Sequence, residues 1–358
     1  MRPQSIVLSN ELRNAIDSVL SAGINKYYYK FKIPKRGRKG FRNISAPNRE
    51  LKKIQNDLLI LLNECYSSIH RHYITGFAPG TSTKYNANKQ VLSQRSLYLD
   101  KSINKKDNKF FTIKMDIENA FGSIGIMMIH KYFPKSIEIS QEDFDRIVFI
   151  CTLNGSLPQG APTSPALLNI ILSQFDYNCN TELLKLNKKA FKDSVEKEAK
   201  DTLKNATLDA QGKDIVSQYL ADNALLHINS YASYTRYADD ISISYTRVLK
   251  PYWIERVIKK VALAFGLQIK ESKTRYMSDR HGRFVTGLNI SNVSHICVPR
   301  KFRFKVRAMI YEASKEKDCV RKSKLIESIK GKINYIKSIH EPHAQKLHEY
   351  ARRYGLVQ

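Results

Sequence analysis

Three aspartates in this chain have the type and setting for metal chemistry: Asp116, and far downstream the adjacent pair in Tyr237-Ala238-Asp239-Asp240. Phosphoryl transfer needs the attacking hydroxyl's pKa lowered and the leaving group's charge neutralised, and two divalent ions held ~3.5 to 4 Å apart do both. Mg2+ takes octahedral oxygen ligands and keeps several waters, so two or three carboxylates plus substrate phosphates suffice, with Mn2+ as the substitute ion; histidine or cysteine would be the wrong ligand. An Asp-Asp pair in a turn is by itself ordinary turn chemistry. The elements around the three carboxylates must therefore decide whether they meet.

Alternation leads up to the acidic pair through Tyr231, Ser233, Thr235 and Tyr237, and away from it through Ile241, Ser242, Ile243, Ser244 and Tyr245, the period of strands. Neighbours in a strand face opposite ways, so a hairpin turn at the acidic pair is what lets both residues serve one site. Residues 110–117 also alternate, with Phe111, Ile113, Met115 and Ile117 on one face and Phe110, Thr112, Lys114 and Asp116 on the other. Asp116 thus leaves the core side at its strand's end. The chain continues Ile117-Glu118-Asn119-Ala120-Phe121, which puts Phe121 one turn beyond the site. A ring there would pack against C2′ of a nucleotide sugar and exclude a 2′-hydroxyl. Leu157-Pro158-Gln159-Gly160-Ala161-Pro162 offers Gln159 as a donor and Gly160 as a point where backbone approaches a base or sugar closely.

The supporting helices follow from spacing. Leu12, Ile16 and Leu20 predict a helix within 1–25, and Leu51, Ile54, Leu58, Leu61 and Leu62 predict one to about Cys65, ahead of the loop Thr75-Gly76-Phe77-Ala78-Pro79-Gly80. Ser164-Pro165 reads as an N-cap followed by proline at the first helical position, with Leu167, Leu168, Ile171, Leu172 and Phe175 turned inward. Residues 182–229 read as a charged helical insertion on the surface, with a thin stripe of Phe191, Val195, Ala199 and Leu203. A helix near 252–265, a strand near 284–290 and helices near 302–316 and 320–339 complete the pattern.

Composition narrows the partner. The 358 residues carry a net charge of +27, and a phosphate backbone is the commonest partner for such potential. Residues 26–55 hold eleven Lys or Arg against one acid, and residues 300–358 hold sixteen against six. Charge gathered at two places suits a cleft gripped from both sides. The five cysteines are scattered without a CxxC pair and read as reduced thiols of a cytoplasmic protein. His70, His72, His340, His343 and His348 lack partners at zinc spacing. With no run of ~18 apolar residues, neither export nor a membrane span is expected.

Together FFTIKMDIENAF, LPQGAPTSPALLN, YTRYADD and FVTGLNIS resemble, in order and spacing, the motifs of reverse transcriptases, most closely the bacterial retron enzymes and their group II intron relatives. RNISAPNRELKKIQ, GLQIKESKT and IKGKINYIKSIHE extend the resemblance over roughly residues 40–355. It implies an α+β right-hand fold: fingers with an N-terminal helix at 1–109; a palm at 110–290 with fingers elements near 120–165 and the 182–229 insertion; and a basic helical thumb at 291–358. It implies RNA-directed DNA polymerase activity, with Asp116, Asp239 and Asp240 as catalytic metal ligands, Phe121 as sugar gate, and Gln159 and Gly160 in the nucleotide pocket. Arg42 matches the arginine that grips the triphosphate, with Lys35 or Lys39 as a lysine partner. Lys273 matches the lysine that protonates the leaving pyrophosphate, and Thr286 and Gly287 fall in the hairpin that grips the primer end. Arg300, Lys301, Arg303, Lys305 and Arg307 are placed on an RNA stem.

Retron enzymes imply further partners: a cognate structured non-coding RNA serving as template and primer, dNTPs, an RNA-DNA hybrid product branched at a 2′-hydroxyl, and a separate effector protein in antiphage defence, with oligomers formed only through partner or nucleic acid. Three departures stand against full transfer. Gln90 replaces the histidine usual after Asn86-Ala87, Lys270 stands where asparagine is usual, and the span from Asp176 to Tyr237 is several times longer than in compact relatives. The rivals are another defence-associated reverse transcriptase with different priming and a non-catalytic RNA-binding scaffold.

Overall fold

The computed structural model describes residues 4–35, 40–69, 71–99, 109–203, 232–246, 249–292 and 294–357. In chain order the elements are β1 (Gln4–Ser5), α1 (Asn10–Ala22), β2 (Tyr28–Pro34), β3 (Phe41–Pro47), α2 (Arg49–Ile69), α3 (Thr83–Leu99), β4 (Phe110–Asp116), α4 (Ala120–Ser123), α5 (Ile126–Tyr132), β5 (Ile137–Glu138) and α6 (Gln141–Cys151). Then come α7 (Ser164–Leu203), β6 (Ala232–Tyr237), β7 (Asp240–Thr246), α8 (Pro251–Ala264), β8 (Arg275–Ser278), β9 (Phe284–Val285), β10 (Leu288–Asn289), α9 (Arg300–Lys315), α10 (Cys319–Ile339) and α11 (Glu341–Arg353).

A four-stranded antiparallel sheet in the order β6-β7-β4-β8 carries the three aspartates. Its register sorts the side chains by face: Ile113, Met115, Ile241, Ile243, Tyr234 and Arg236 share one, while Thr112, Lys114, Asp116, Asp240, Ser242, Ser244 and Thr235 share the other. Helix α7 covers the first face, with Leu167, Leu168, Ile171, Leu172, Phe175 and Cys179 buried at the centre of the main core. The polar face is also buried over much of its area, because α3 lies on it.

Helix α7 differs from the sequence expectation at both ends. The Ser164 hydroxyl donates to the Pro158 carbonyl at 2.8 Å, tying the preceding turn instead of capping the helix. The helix then runs 40 residues, through the start of the expected insertion. No glycine or proline interrupts residues 166–203, so composition changes without a helix stop. The rest of that insertion, residues 204–229, lies outside the described residues. The expected strand at 284–290 is a short hairpin, β9 and β10, folded at Thr286 and Gly287 with both φ angles positive. Helix α2 runs on to Ile69, and α11 adds a helix beyond those expected, opened by Pro342 in its first turn.

A second core joins Val285, Leu288, Ile290, Ile296 and Val298 to the inner faces of α9, α10 and α11. It also takes Ala87 and Val91 from α3. Helix α3 therefore has one side on the sheet and another in this second core.

Candidate active site

Register brings the aspartates together. Asp116 at the end of β4 pairs directly with Asp240 at the start of β7, and the Ile117 amide donates to the Asp239 carbonyl at 3.0 Å. Asp239 sits in the two-residue turn between Tyr237 and Asp240, a turn made possible by the left-handed Ala238 at φ 57°. Burial, then the carboxylates of Asp116 and Asp240, push the Asp239 pKa above the usual range. Two ammonium groups stand against this negative charge: Lys273 Nζ lies 2.5 Å from Asp116 Oδ2, and Lys114 Nζ lies 2.7 Å from Asp240 Oδ2.

The turn is held from below by a buried polar network. Arg236 grips Asp176 in a two-pronged pair, Nε to Oδ1 at 2.8 Å and Nη2 to Oδ2 at 2.7 Å, with both side chains 0% exposed. Burial alone would lower the Arg236 pKa, but Asp176 outweighs it, so the net shift is upward. The Tyr234 hydroxyl donates to the same Asp176 carboxylate at 2.6 Å. The other arm, Arg236 Nη1, donates to the Ala238 carbonyl at 2.8 Å and to Asn169 Oδ1 at 3.1 Å, and Asn169 Nδ2 donates to the Gly76 carbonyl at 2.7 Å. A Cβ on Gly76 would stand 2.5 Å from the Ala238 nitrogen. Gly76 therefore lies directly against the acidic turn.

On the opposite face Gln90 binds both strands of the hairpin. Its Nε2 donates to Thr235 Oγ1 at 2.9 Å and to the Ser242 carbonyl at 3.0 Å, and its Oε1 accepts from the Ser244 amide at 3.0 Å. Gln90 thus clamps β6 to β7 behind the turn. Gly76, Gln90, Asn169, Asp176 and Arg236 were not singled out as site residues from sequence. The one available signal was Arg236 itself: strand alternation sets it opposite Thr235, on the apolar face, where an arginine requires a buried acid.

The other sequence candidates fall in several places. Phe121 is on the single turn of α4 just past Asp116, half-buried against the main core. Gln159 and Gly160 pack on β3: the Ser45 amide donates to the Gln159 carbonyl at 2.9 Å, and a Cβ on Gly160 would meet the Ser45 carbonyl at 2.8 Å. The close approach that requires glycine here is to β3, where sequence had placed a base or sugar. Arg42 is exposed on β3 opposite Ile33, Lys35 lies at the exposed end of β2, and Lys39 lies outside the described residues, as do Arg36 and Arg38. The Thr286 hydroxyl donates to the Thr83 carbonyl at 2.8 Å, which ties the 286–287 turn to α3. Lys301 and Lys305 are exposed, and Arg300 and Arg307 lie over the rings of Phe304 and Tyr350. Arg303 parts from them: it turns toward His340 and His343, and its Nε is buried. Lys270, the second departure, pairs with Glu118 at 2.8 Å.

The model of the reverse transcriptase (RNA-dependent DNA polymerase) family matches residues 33–196, a span that includes Asp116 and the 157–162 turn. The chain is also 24% identical over 323 residues to the retron Ec83 reverse transcriptase of Escherichia coli, covering 86% of this chain and 83% of that protein. Residues 33–196 thus carry a reverse transcriptase domain. The retron Ec86 reverse transcriptase of Escherichia coli is 25% identical over 333 residues, covering 92% of this chain and 82% of that protein. The enzyme is an RNA-directed DNA polymerase with a right-hand polymerase fold, homologous to retron enzymes over most of its length. Among solved structures, the telomerase of Candida albicans in complex with a telomeric RNA fragment superposes with a TM-score of 0.45 at 12% identity, over 94% of this chain and 59% of that one. No helix among the described residues is long and apolar enough to cross a membrane.

The site's donor set suits divalent ions. Hard carboxylate oxygens converge from two strand ends and a turn, and ammonium groups already occupy positions beside two of them. Among the described residues no group of three His, Cys, Asp or Glu side chains is closed about one point.

Proposed function

We propose that this enzyme is a retron-type reverse transcriptase that copies part of a cognate structured RNA into single-stranded DNA, priming from an RNA 2′-hydroxyl to give a branched RNA-DNA product. The observation that supports it most is the register of Asp116 against Asp240 with Asp239 in the intervening turn, a three-carboxylate cluster on a polymerase sheet. Asp116, Asp239 and Asp240 would hold two Mg2+ ions. In each cycle the attacking hydroxyl would lose its proton to solvent as its oxygen bonds the α-phosphorus of a dNTP, the bond to the bridging oxygen breaks, and pyrophosphate leaves. Lys273, whose ammonium lies beside Asp116, would give the departing pyrophosphate a proton. Phe121 sets the sugar preference, Arg42 and Lys35 bind the triphosphate, and Gln159 and Gly160 border the nucleotide.

In this reading residues 1–109 form the fingers, 110–290 the palm and 291–358 the thumb. The thumb's exposed Lys301 and Lys305, with Arg300 and Arg307, meet the RNA, and the 286–287 turn meets the primer end. The two basic segments suit a nucleic acid held between them. An antiphage role with a separate effector, in the cytoplasm, completes the proposal.

The test is to isolate the protein with its bound nucleic acid from cells carrying its native locus, beside an Asp239→Ala, Asp240→Ala variant. DNA joined to RNA, released by a debranching enzyme and missing from the variant, is the expected result. RNA alone in both preparations would replace this reading with a binding scaffold. Unbranched or protein-linked DNA would replace the priming rule.

A further inference from the structure

Lys114 has no part in the reading so far, yet its ammonium is paired with a carboxylate of the acidic cluster. It stands two residues before Asp116 on the same face of β4, its backbone in register with Ser242 on one side and Arg275 on the other. Its ammonium reaches diagonally across to Asp240 at 2.7 Å, and both side chains are about a third exposed, at 29% and 31%. With Lys273 on Asp116, the two outer carboxylates of the cluster each carry a cation, and Asp239 between them has no ion pair of its own among the described residues.

An ammonium at hydrogen-bond distance competes with a metal ion for the same carboxylate. A second cation arriving at Asp240 must displace Lys114 or share the carboxylate with it, and a unit positive charge within a few ångströms opposes a divalent ion strongly. We infer that Lys114 is a built-in counter-cation that weakens ion binding in the free enzyme and makes loading at Asp240 depend on the negative charge of an arriving triphosphate. Lys114 is thus a positioning residue acting through Asp240. The inference rests on the two-ion reading of the aspartates.

The test is Mn2+ binding to the purified full-length protein without nucleotide, followed by electron paramagnetic resonance. Wild type is compared with Lys114→Met, Lys114→Arg and Asp239→Ala, with thermal unfolding to confirm that each is folded. Lys114→Met is expected to bind Mn2+ about tenfold more tightly than wild type, while Lys114→Arg, which keeps the charge, stays within about twofold. In Mg2+ titrations of DNA synthesis the Met variant should reach half-saturation at lower Mg2+. Unchanged or weaker Mn2+ binding in Lys114→Met, with binding lost in Asp239→Ala, overturns the role of Lys114 alone. Equal tightening in Lys114→Arg overturns it too, because the cause would then be packing and not charge. Mn2+ bound as well by Asp239→Ala as by wild type would overturn both this inference and the metal reading beneath it.

Discussion

Replacing Gly76 with alanine should disable the enzyme while leaving it folded. The new methyl would lie 2.5 Å from the Ala238 nitrogen and 2.9 Å from both Tyr237 Cα and its carbonyl carbon, all backbone atoms. Ordinary contact begins near 3.4 Å, so the gap must open by roughly 0.9 Å. Neither side yields easily. Gly76 is held through Asn169, the neighbouring Thr75 amide donates to the Arg236 carbonyl at 2.8 Å, and Ala238 is held by Arg236 Nη1. Overpacking of this kind costs about 1–3 kcal/mol, which a domain of this size survives. The shift falls on the turn that carries Asp239. A misplacement of about 1 Å at a reacting centre lowers turnover by on the order of 100-fold. Single-nucleotide addition to a primed RNA template, at saturating dNTP and Mg2+, should show that loss in kcat, with thermal unfolding reporting fold. Gly80→Ala is the comparison: that site has φ +72° and open space around it, so alanine there costs about 1–2 kcal/mol of backbone strain and leaves kcat alone. A Gly76→Ala enzyme within threefold of wild-type kcat would refute the argument that Gly76 sets the position of the turn.

Three further outcomes follow from the same structure. Arg236→Met should destabilise the protein by about 3–5 kcal/mol in denaturant unfolding, because Asp176 is left buried and unpaired, and adding Asp176→Leu should recover part of that loss; no recovery would mean the pair is not isolated from the rest of the core. Phe121→Ala should relax discrimination against ribonucleotides by roughly 10- to 100-fold in competition assays on one template, and an unchanged ratio would remove Phe121 as the sugar gate. Burial, then Arg303 and the neighbouring His340 and His295, push the His343 pKa from 6.5 to about 4. The unfolded chain therefore takes up this proton first as pH falls, and folding stability should decline from pH 6.5 toward 4. His343→Gln should flatten that decline in thermal melts; an equal slope would place the titration elsewhere.

Much of the site was legible because its chemistry is local. The acidic turn follows from two alternating strands meeting at a pair of carboxylates, and Asp116 from a strand whose inner face is apolar at every second residue. What surrounds the turn was not legible, because its partners lie far apart in sequence: Arg236 finds Asp176 at a separation of 60 residues, and Gln90 finds Ser242 at 152. Gly76 looked like any glycine in a Gly/Pro loop, since nothing local says which backbone it must lie against. Alternation also misled in one respect. Polar residues at alternate positions usually face solvent, yet Thr112, Thr235, Ser242 and Ser244 are buried, because Gln90 and their own hydroxyls satisfy one another beneath α3, as in the 3.1 Å contact of Thr112 with Ser244.

Helix α3 also imposes an order on the birth of the molecule. Its Ala87 and Val91 belong to a core whose other members begin at Val285, and Thr83 waits for the hydroxyl of Thr286, 203 residues later. On a ribosome adding about 5–20 residues per second, those apolar side chains stay uncovered for roughly 10–40 s after α3 emerges. Closing so long a loop is slow and costs chain entropy. The nascent chain thus carries a sticky helix through most of its synthesis, and conditions that slow translation or lower chaperone supply should cut the yield of soluble enzyme before they touch its stability once made.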